Sequence, residues 1–188
     1  MAFADLTGQI NPPLYIVTAD DGVDRSGCVV GFATQCSIYP PRFLVCLSVL
    51  NHTTRLARRA PALAVHILGV DEHALAAHFG ALSGDETDKL AGVRWHRGAL
   101  GTPVLDAAAG VFEGRVLERL ELGDHIGHLL APDGETGVDE EAASDQLRLR
   151  DVPDVRPAHP PAEILTVRDA GETRSPAPRA GARSGGRG

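Results

Sequence analysis

Six short runs between residues 14 and 130 constrain this chain more than anything else in its sequence, because each reads as a β-strand and little between them reads as helix. Residues 14–19 (LYIVTA) are β-branched and aromatic, and Asp20-Asp21-Gly22 then supplies a turn. Residues 26–33 form a second run. Residues 42–49 (RFLVCLSV) form a third, set off by Pro40-Pro41, since proline cannot donate to a sheet ladder. Residues 62–68 (ALAVHIL), 111–122 (VFEGRVLERLEL) and 124–130 (DHIGHLL) complete the set, and 111–122 alternates apolar and polar residues as a half-buried strand does. Helices fit residues 53–60 and 72–79, with a shorter one at 83–90. In 72–79, Ala74, Leu75, Ala77, His78 and Phe79 give an apolar face of helical period, with Asp71 as N-cap. Many short strands and few helices predict a mainly β fold with accessory helices, a small barrel rather than a doubly wound sheet.

The 188 residues suffice for one domain with a sizeable core. The composition changes near residue 135. Residues 133–146 (DGETGVDEEAASDQ) are acidic without a core pattern, and 151–188 are rich in Pro, Gly, Ala and Arg. The expected organisation is therefore a domain at 1–135, an acidic linker at 136–150, and a mostly disordered tail at 151–188. Within the tail only 162–167 (AEILTV) has the character of a packing segment.

Net charge is −7, so no general affinity for nucleic acid is expected. No run approaches the ~20 apolar residues of a membrane span, and residues 1–11 lack a basic region followed by an apolar one. A cytoplasmic protein is expected. Cys28, Cys36 and Cys46 are an odd set lying in apolar or small-residue stretches, and they read as buried free thiols. Lys89 is the single lysine among 18 basic residues.

Hydrolase, phosphate-loop, dinucleotide-fold and zinc-protease signatures are all missing. His125 and His128 are three apart in a predicted strand and so point to opposite faces. His73 and His78 lie well apart around a predicted helix. Neither pair predicts a metal site. Three polar segments remain. Residues 31–41 (GFATQCSIYPP) leave backbone groups open to a planar ligand. Residues 46–55 (CLSVLNHTTR) run from a strand into a helix start, where N–H groups, hydroxyls and a guanidinium suit an anion. Gly123-Asp124-His125 is a turn entering the last strand. Taken singly, these have ordinary structural readings: Asn51 and Thr53 as caps, Arg55 as a surface charge, His125 as a packed or surface histidine.

In order and spacing, however, these segments resemble the flavin reductase-like family of FMN-binding split barrels. YIVTADDG is similar to that family's opening strand and turn, and GFATQCSIYPPRFLVCLSVLNHTTRLA to its central stretch. LAVHILGVDEHALAAHFG, DKLAGVRWHRGALGTPVLDAAAGVFEGRV and finally GDHIGHLLAP follow in the family's order, so that the likeness spans about residues 10–132. The chain departs from the pattern at Val29, Val30 and Gly31, where relatives often carry small hydroxyl residues, and at His66, where they often carry asparagine.

The resemblance implies a closed antiparallel Greek-key barrel with accessory helices, usually a homodimer. It implies FMN, with FAD as the alternative flavin, contacting Phe32, Ala33, Thr34 and Ser37, with Cys46 and Leu47 alongside. Asn51, Thr53, Thr54 and Arg55 would lie near the flavin phosphate. His125 is the implied catalytic residue, near flavin and nicotinamide. The implied activity is an NAD(P)H:flavin oxidoreductase supplying reduced flavin to a partner monooxygenase. The alternatives are a non-catalytic flavin- or haem-binding split barrel, and a deazaflavin-dependent oxidoreductase.

Overall fold

A computed structural model of the protein describes residues 3–7 and 9–153. Its centre is a seven-stranded antiparallel sheet. The strands are β1 (Tyr15–Asp20), β2 (Arg25–Val30), β3 (Ala33–Ser37), β4 (Arg42–Ser48), β5 (Ala62–Ile67), β8 (Gly110–Glu121) and β9 (His125–Val138). They are ordered β2-β1-β5-β8-β9-β4-β3. Two further short strands, β6 (Trp95–Arg97) and β7 (Pro103–Leu105), form a separate ladder. The helices are α1 (Phe3–Thr7), α2 (His52–Ala57), α3 (His73–Ala81) and α4 (Glu140–Ala143). The mainly β reading with accessory helices holds.

The expected closed barrel is corrected. The hydrogen-bonded ladder has two ends, β2 and β3, and does not close. Those two strands are consecutive in the chain. The single strand expected at 26–33 divides at Gly31-Phe32, so that its first half pairs with β1 and the remainder runs on into β3 beside β4. The Cys46 N–H donates to the Phe32 carbonyl at 2.9 Å, which holds the crossing point against β4.

β1 and β5 are buried on both faces, and the alternation of each sorts its side chains into two cores. Val17, Ala19, Leu63 and Val65 join Val45, Leu47 and Leu56 in one. Leu14, Ile16 and Leu68 join Phe79, Leu90 and Leu105 in the other. α2 covers the first core and α3 the second. Gly27 on β2 is required by this arrangement: a Cβ there would sit 2.8 Å from the Phe79 ring, so the ring packs directly on backbone. The turn at Gly22 also follows expectation, with φ of 88°.

Several other expectations change. The helix predicted at 72–79 begins as a single 3-10 turn, Val70–Glu72, so Asp71 lies inside that turn rather than capping a helix. Residues 83–90 form turns and no helix. Of the three cysteines, Cys28 is buried, Cys46 half-buried and Cys36 exposed on the outer strand β3.

The largest change concerns residues 136–150, expected as an acidic linker. β9 continues to Val138 and pairs with the start of β8. Leu147 then enters the second core at 1 % exposure, and its N–H and carbonyl bond to Leu68 and Leu14, each at 2.8 Å. Val152, inside the expected tail, is equally buried. Acidic side chains at Asp139, Glu140 and Glu141 stay exposed while the backbone beneath them completes the fold. The run at 162–167 lies outside the described residues.

Candidate functional site

A pocket of about 530 Å³ opens where β2, the Gly31-Phe32 break and β4 meet α3 and the β8–β9 turn. Five of the residues singled out from sequence line it: Phe32, Cys46, Leu47, Asn51 and His125. Phe32 is placed there by the break after β2. Cys46 and Leu47 are placed by β4, and Asn51 stands at the start of α2 with extended backbone. His125 opens β9, opposite Ser48 of β4 in register.

His125 and Phe32 sit with ring centroids 5.1 Å apart at an angle of 51°. His125 Nδ1 lies 2.8 Å from the Asp124 carboxylate. The hydrogen bond from this imidazole, acting first among several effects, holds the Asp124 carboxyl below its ordinary range. With Nδ1–H donating to Asp124, Nε2 is left as an acceptor, and it has no hydrogen-bond partner among the described residues. His128, three residues on, is fully buried on the opposite face of β9. The opposite-face expectation for this pair holds.

The remaining residues implied by the family resemblance lie elsewhere. Ala33, Thr34 and Ser37 are on β3 and do not line the pocket; Thr34 bonds the Gln35 carbonyl and Ser37 the Pro40 carbonyl. Thr53 and Thr54 are buried residues of α2 itself. Thr53 faces the Ser26 hydroxyl at 3.4 Å, and Thr54 donates to the Ser48 carbonyl at 2.5 Å. Arg55 pairs with Asp85 and reaches His52 Nδ1 at 2.8 Å. These three therefore shape the helix start and tie it to the 83–85 turn, with no guanidinium turned into the pocket.

Sequence reasoning passed over most of the opposite wall. Leu14, Phe79 and Leu82 supply apolar surface there, and Leu149 and Val152 add to it from the segment after β9. Lys89 is the main omission. It is 6 % exposed, and its ammonium donates to the carbonyls of Gly27 at 3.1 Å and Phe79 at 2.9 Å. Phe79 lies in the last turn of α3, where carbonyls lack helical partners and a cation is favoured. Burial pushes the ammonium below its ordinary pKa. The one sequence signal was that Lys89 is the chain's only lysine.

The pocket has an apolar body and few polar groups: Ser48, Asn51, Asp124 and His125 on one side, Lys89 on the other. That composition and volume suit a largely planar organic ligand held by a handful of polar contacts. The flavin reductase like domain family matches residues 7–131. This chain belongs to that family. It is 25 % identical over 133 residues to the 4-hydroxyphenylacetate 3-monooxygenase reductase component of Klebsiella oxytoca, covering 69 % of this chain and 77 % of that one. It is 27 % identical over 123 residues to the FMN reductase (NADH) RutF of Ancylobacter novellus, with 65 % and 67 % covered. In fold it is similar to the NADH:FAD oxidoreductase SgcE6 of Streptomyces globisporus, with a TM-score of 0.63 over 70 % of this chain and 82 % of that one, at 24 % identity. The matched span of the family ends before Leu149 and Val152, so that wall of the pocket lies outside it.

Proposed function

We propose that this member of the flavin reductase family is an NAD(P)H:flavin oxidoreductase that reduces FMN, with FAD as the alternative flavin, and delivers reduced flavin to a partner monooxygenase. The observation that carries this reading is the pocket itself. Phe32, Cys46, Leu47, Asn51 and His125, from four separate parts of the chain, converge on one cavity of about 530 Å³.

The donor set fits a flavin. The apolar walls accept an aromatic ring system, and the sparse polar groups suit the edge of its pyrimidine ring. A flavin held here would supply the two-electron chemistry, as acceptor of the hydride that the nicotinamide gives up. The chain's own residues then need to bind, orient and exclude water, and a transfer of this kind depends on proximity more than on a side-chain base. Leu47, Phe79 and Leu82 keep the interior dry. Asn51, at the start of α2, would hold the polar end of the flavin. His125, fixed by Asp124, would use Nε2 to accept from the nicotinamide carboxamide and orient it. Burial of Cys46 raises its thiol pKa, so it packs as a neutral group beside the ring.

Among the described residues no helix is long and apolar enough to cross a membrane. We infer a cytoplasmic protein and a homodimer. The exposed apolar residues Ile38 and Tyr39 on the β3–β4 turn, at 86 % and 94 % exposure, support association of two copies. Light scattering that gives the mass of one chain at tens of micromolar would overturn the dimer.

The functional reading is tested by adding FMN, FAD and a deazaflavin in turn to apo-protein, then NADH or NADPH. Flavin binding followed by nicotinamide oxidation is the expected result. Binding without turnover would leave a flavin carrier, and preference for the deazaflavin would reassign the cofactor.

A further inference from the structure

Lys89 is a buried cation without a counter-charge. Two of its three N–H donors go to the Gly27 and Phe79 carbonyls. Among the described residues no carboxylate lies within ion-pair distance of it, and its third donor has no partner. Neutral carbonyls satisfy hydrogen bonds without neutralising a charge, and an unpaired charge held out of water is costly. The residue lines the pocket. A ligand bearing negative charge would offset that cost.

Two parts of a flavin carry negative charge: the phosphate, and the pyrimidine ring once the flavin has taken up two electrons. The surroundings of Lys89 favour the ring. Its neighbours on β2 and α3, Cys28 and Phe79, offer no second cation or hydroxyl, whereas a phosphate dianion collects several donors and stays near water. One fixed ammonium in an apolar wall suits a single delocalised charge.

We propose that Lys89 is the counter-charge of the flavin site and binds the reduced flavin ring more strongly than the oxidised one. This rests on the flavin reductase reading given above. A protein group of this kind tunes the cofactor, because charge near the ring nitrogens shifts the balance between its oxidation states.

The test is anaerobic calorimetry of oxidised and reduced FMN, and of riboflavin in both states, with wild-type protein, Lys89→Gln and Lys89→Arg. Thermal melts establish that each variant folds. Lys89→Gln keeps a donor for the two carbonyls and loses the charge. It should weaken reduced FMN by about tenfold and oxidised FMN by less than about threefold. The midpoint potential of bound FMN should fall by about 30 mV for each tenfold difference. Riboflavin should show the same ratio, and Lys89→Arg should restore most of it. If Lys89→Gln does not fold, Lys89→Met carries the same expectation. Equal weakening of both oxidation states would make Lys89 only a cap of α3 and overturn the proposal. A loss seen with FMN and absent with riboflavin would move the contact to the phosphate and overturn it too. Wild-type protein that binds no flavin in either state would instead refute the flavin reading, and this inference with it.

Discussion

Acid should weaken this fold in a defined window, and His66 shows why. The imidazole is fully buried between β1 and the β6–β7 ladder. Nδ1 lies 3.0 Å from the Ile16 carbonyl, and the Leu105 N–H points at Nε2 from 3.0 Å. Only the neutral tautomer protonated on Nδ1 satisfies both contacts. Protonating Nε2 would set N–H against N–H in a dry interior. Burial accordingly pushes the pKa from its ordinary 6.5 to about 4. In the unfolded chain the group takes up a proton as pH falls below 6.5, while the folded chain does not until about 4. Stability is thus full above pH 6.5, declines through that interval, and levels off below it, a loss of about 3 kcal/mol. His128 is also fully buried and pushed to about 4, by burial first and by Arg119 second, so the two together remove about 6 kcal/mol, comparable to the whole stability of a typical domain. Urea unfolding followed through the single tryptophan, Trp95, at about pH 7, 5.5 and 4.5 measures this. His66→Gln should lower stability at pH 7 and cut the pH slope roughly in half. A wild-type midpoint that stays flat down to about pH 4.5, or an unchanged slope in His66→Gln, would refute the reasoning. Asp21 acts in a lower window. N–H groups of Asp24 and Val23, then Arg59, hold it at about 2, so its contribution is present above 3.8 and disappears only as pH falls toward 2.

His125→Ala should raise the KM for NAD(P)H or lower kcat/KM by about 10- to 100-fold, about 1.4–2.7 kcal/mol, with FMN affinity changing less; an unaffected variant would remove His125 from the site. Arg55→Ala should leave FMN affinity within about twofold, because its guanidinium is committed to Asp85 at an exposed position, whereas Asn51→Ala should weaken FMN; calorimetric titration of both variants reverses the assignment if Arg55 proves the more sensitive. Truncation after Arg150 should cost about 1–2 kcal/mol through the loss of Val152, and truncation after Pro153 should not remove that contribution. Equal melting temperatures for the two truncations would show that Val152 does not contribute to the core.

What could be read from sequence followed the strength of local pattern. β1, β4, β5 and β8 were visible because alternation and β-branching persist over six residues or more. The break at Gly31-Phe32 was not, since VVGFA reads as uninterrupted strand and the division depends on β1 and β4 competing for opposite halves. Trp95–Arg97 and Pro103–Leu105 are too short for periodicity to register. β9 beyond Leu130 contains Pro132, Asp133, Gly134 and Gly137, which local preference assigns to loop; pairing with Gly110–Phe112 overrides it. Of the pocket lining, Phe32, Cys46 and His125 were accessible from motif order. Lys89 was not, because its role comes from carbonyls 62 and 10 residues away. Arg55 was misplaced because its partner, Asp85, lies 30 residues on in a turn.

The segment after β9 belongs both to the core and to the wall of the pocket. Leu149 donates to the Pro12 carbonyl at 3.1 Å, Arg148 to the Asn11 carbonyl at 2.9 Å, and the Arg150 N–H to the Asn11 side chain at 2.9 Å. These bonds strap residues 147–152 against 11–14, and Pro12, Leu14, Leu149 and Val152 then face the pocket together. Leu14 and Val152 are at the same time core residues packed with Phe79, whose carbonyl holds Lys89. Loosening the strap would therefore open one wall of the pocket and disturb the seat of its only buried lysine. Because the strap lies beyond the span matched by the flavin reductase family, a chain can keep the family's strands and still differ in this wall. Leu149 and Val152 thus give the pocket a wall that the strand residues picked out by the family resemblance do not supply.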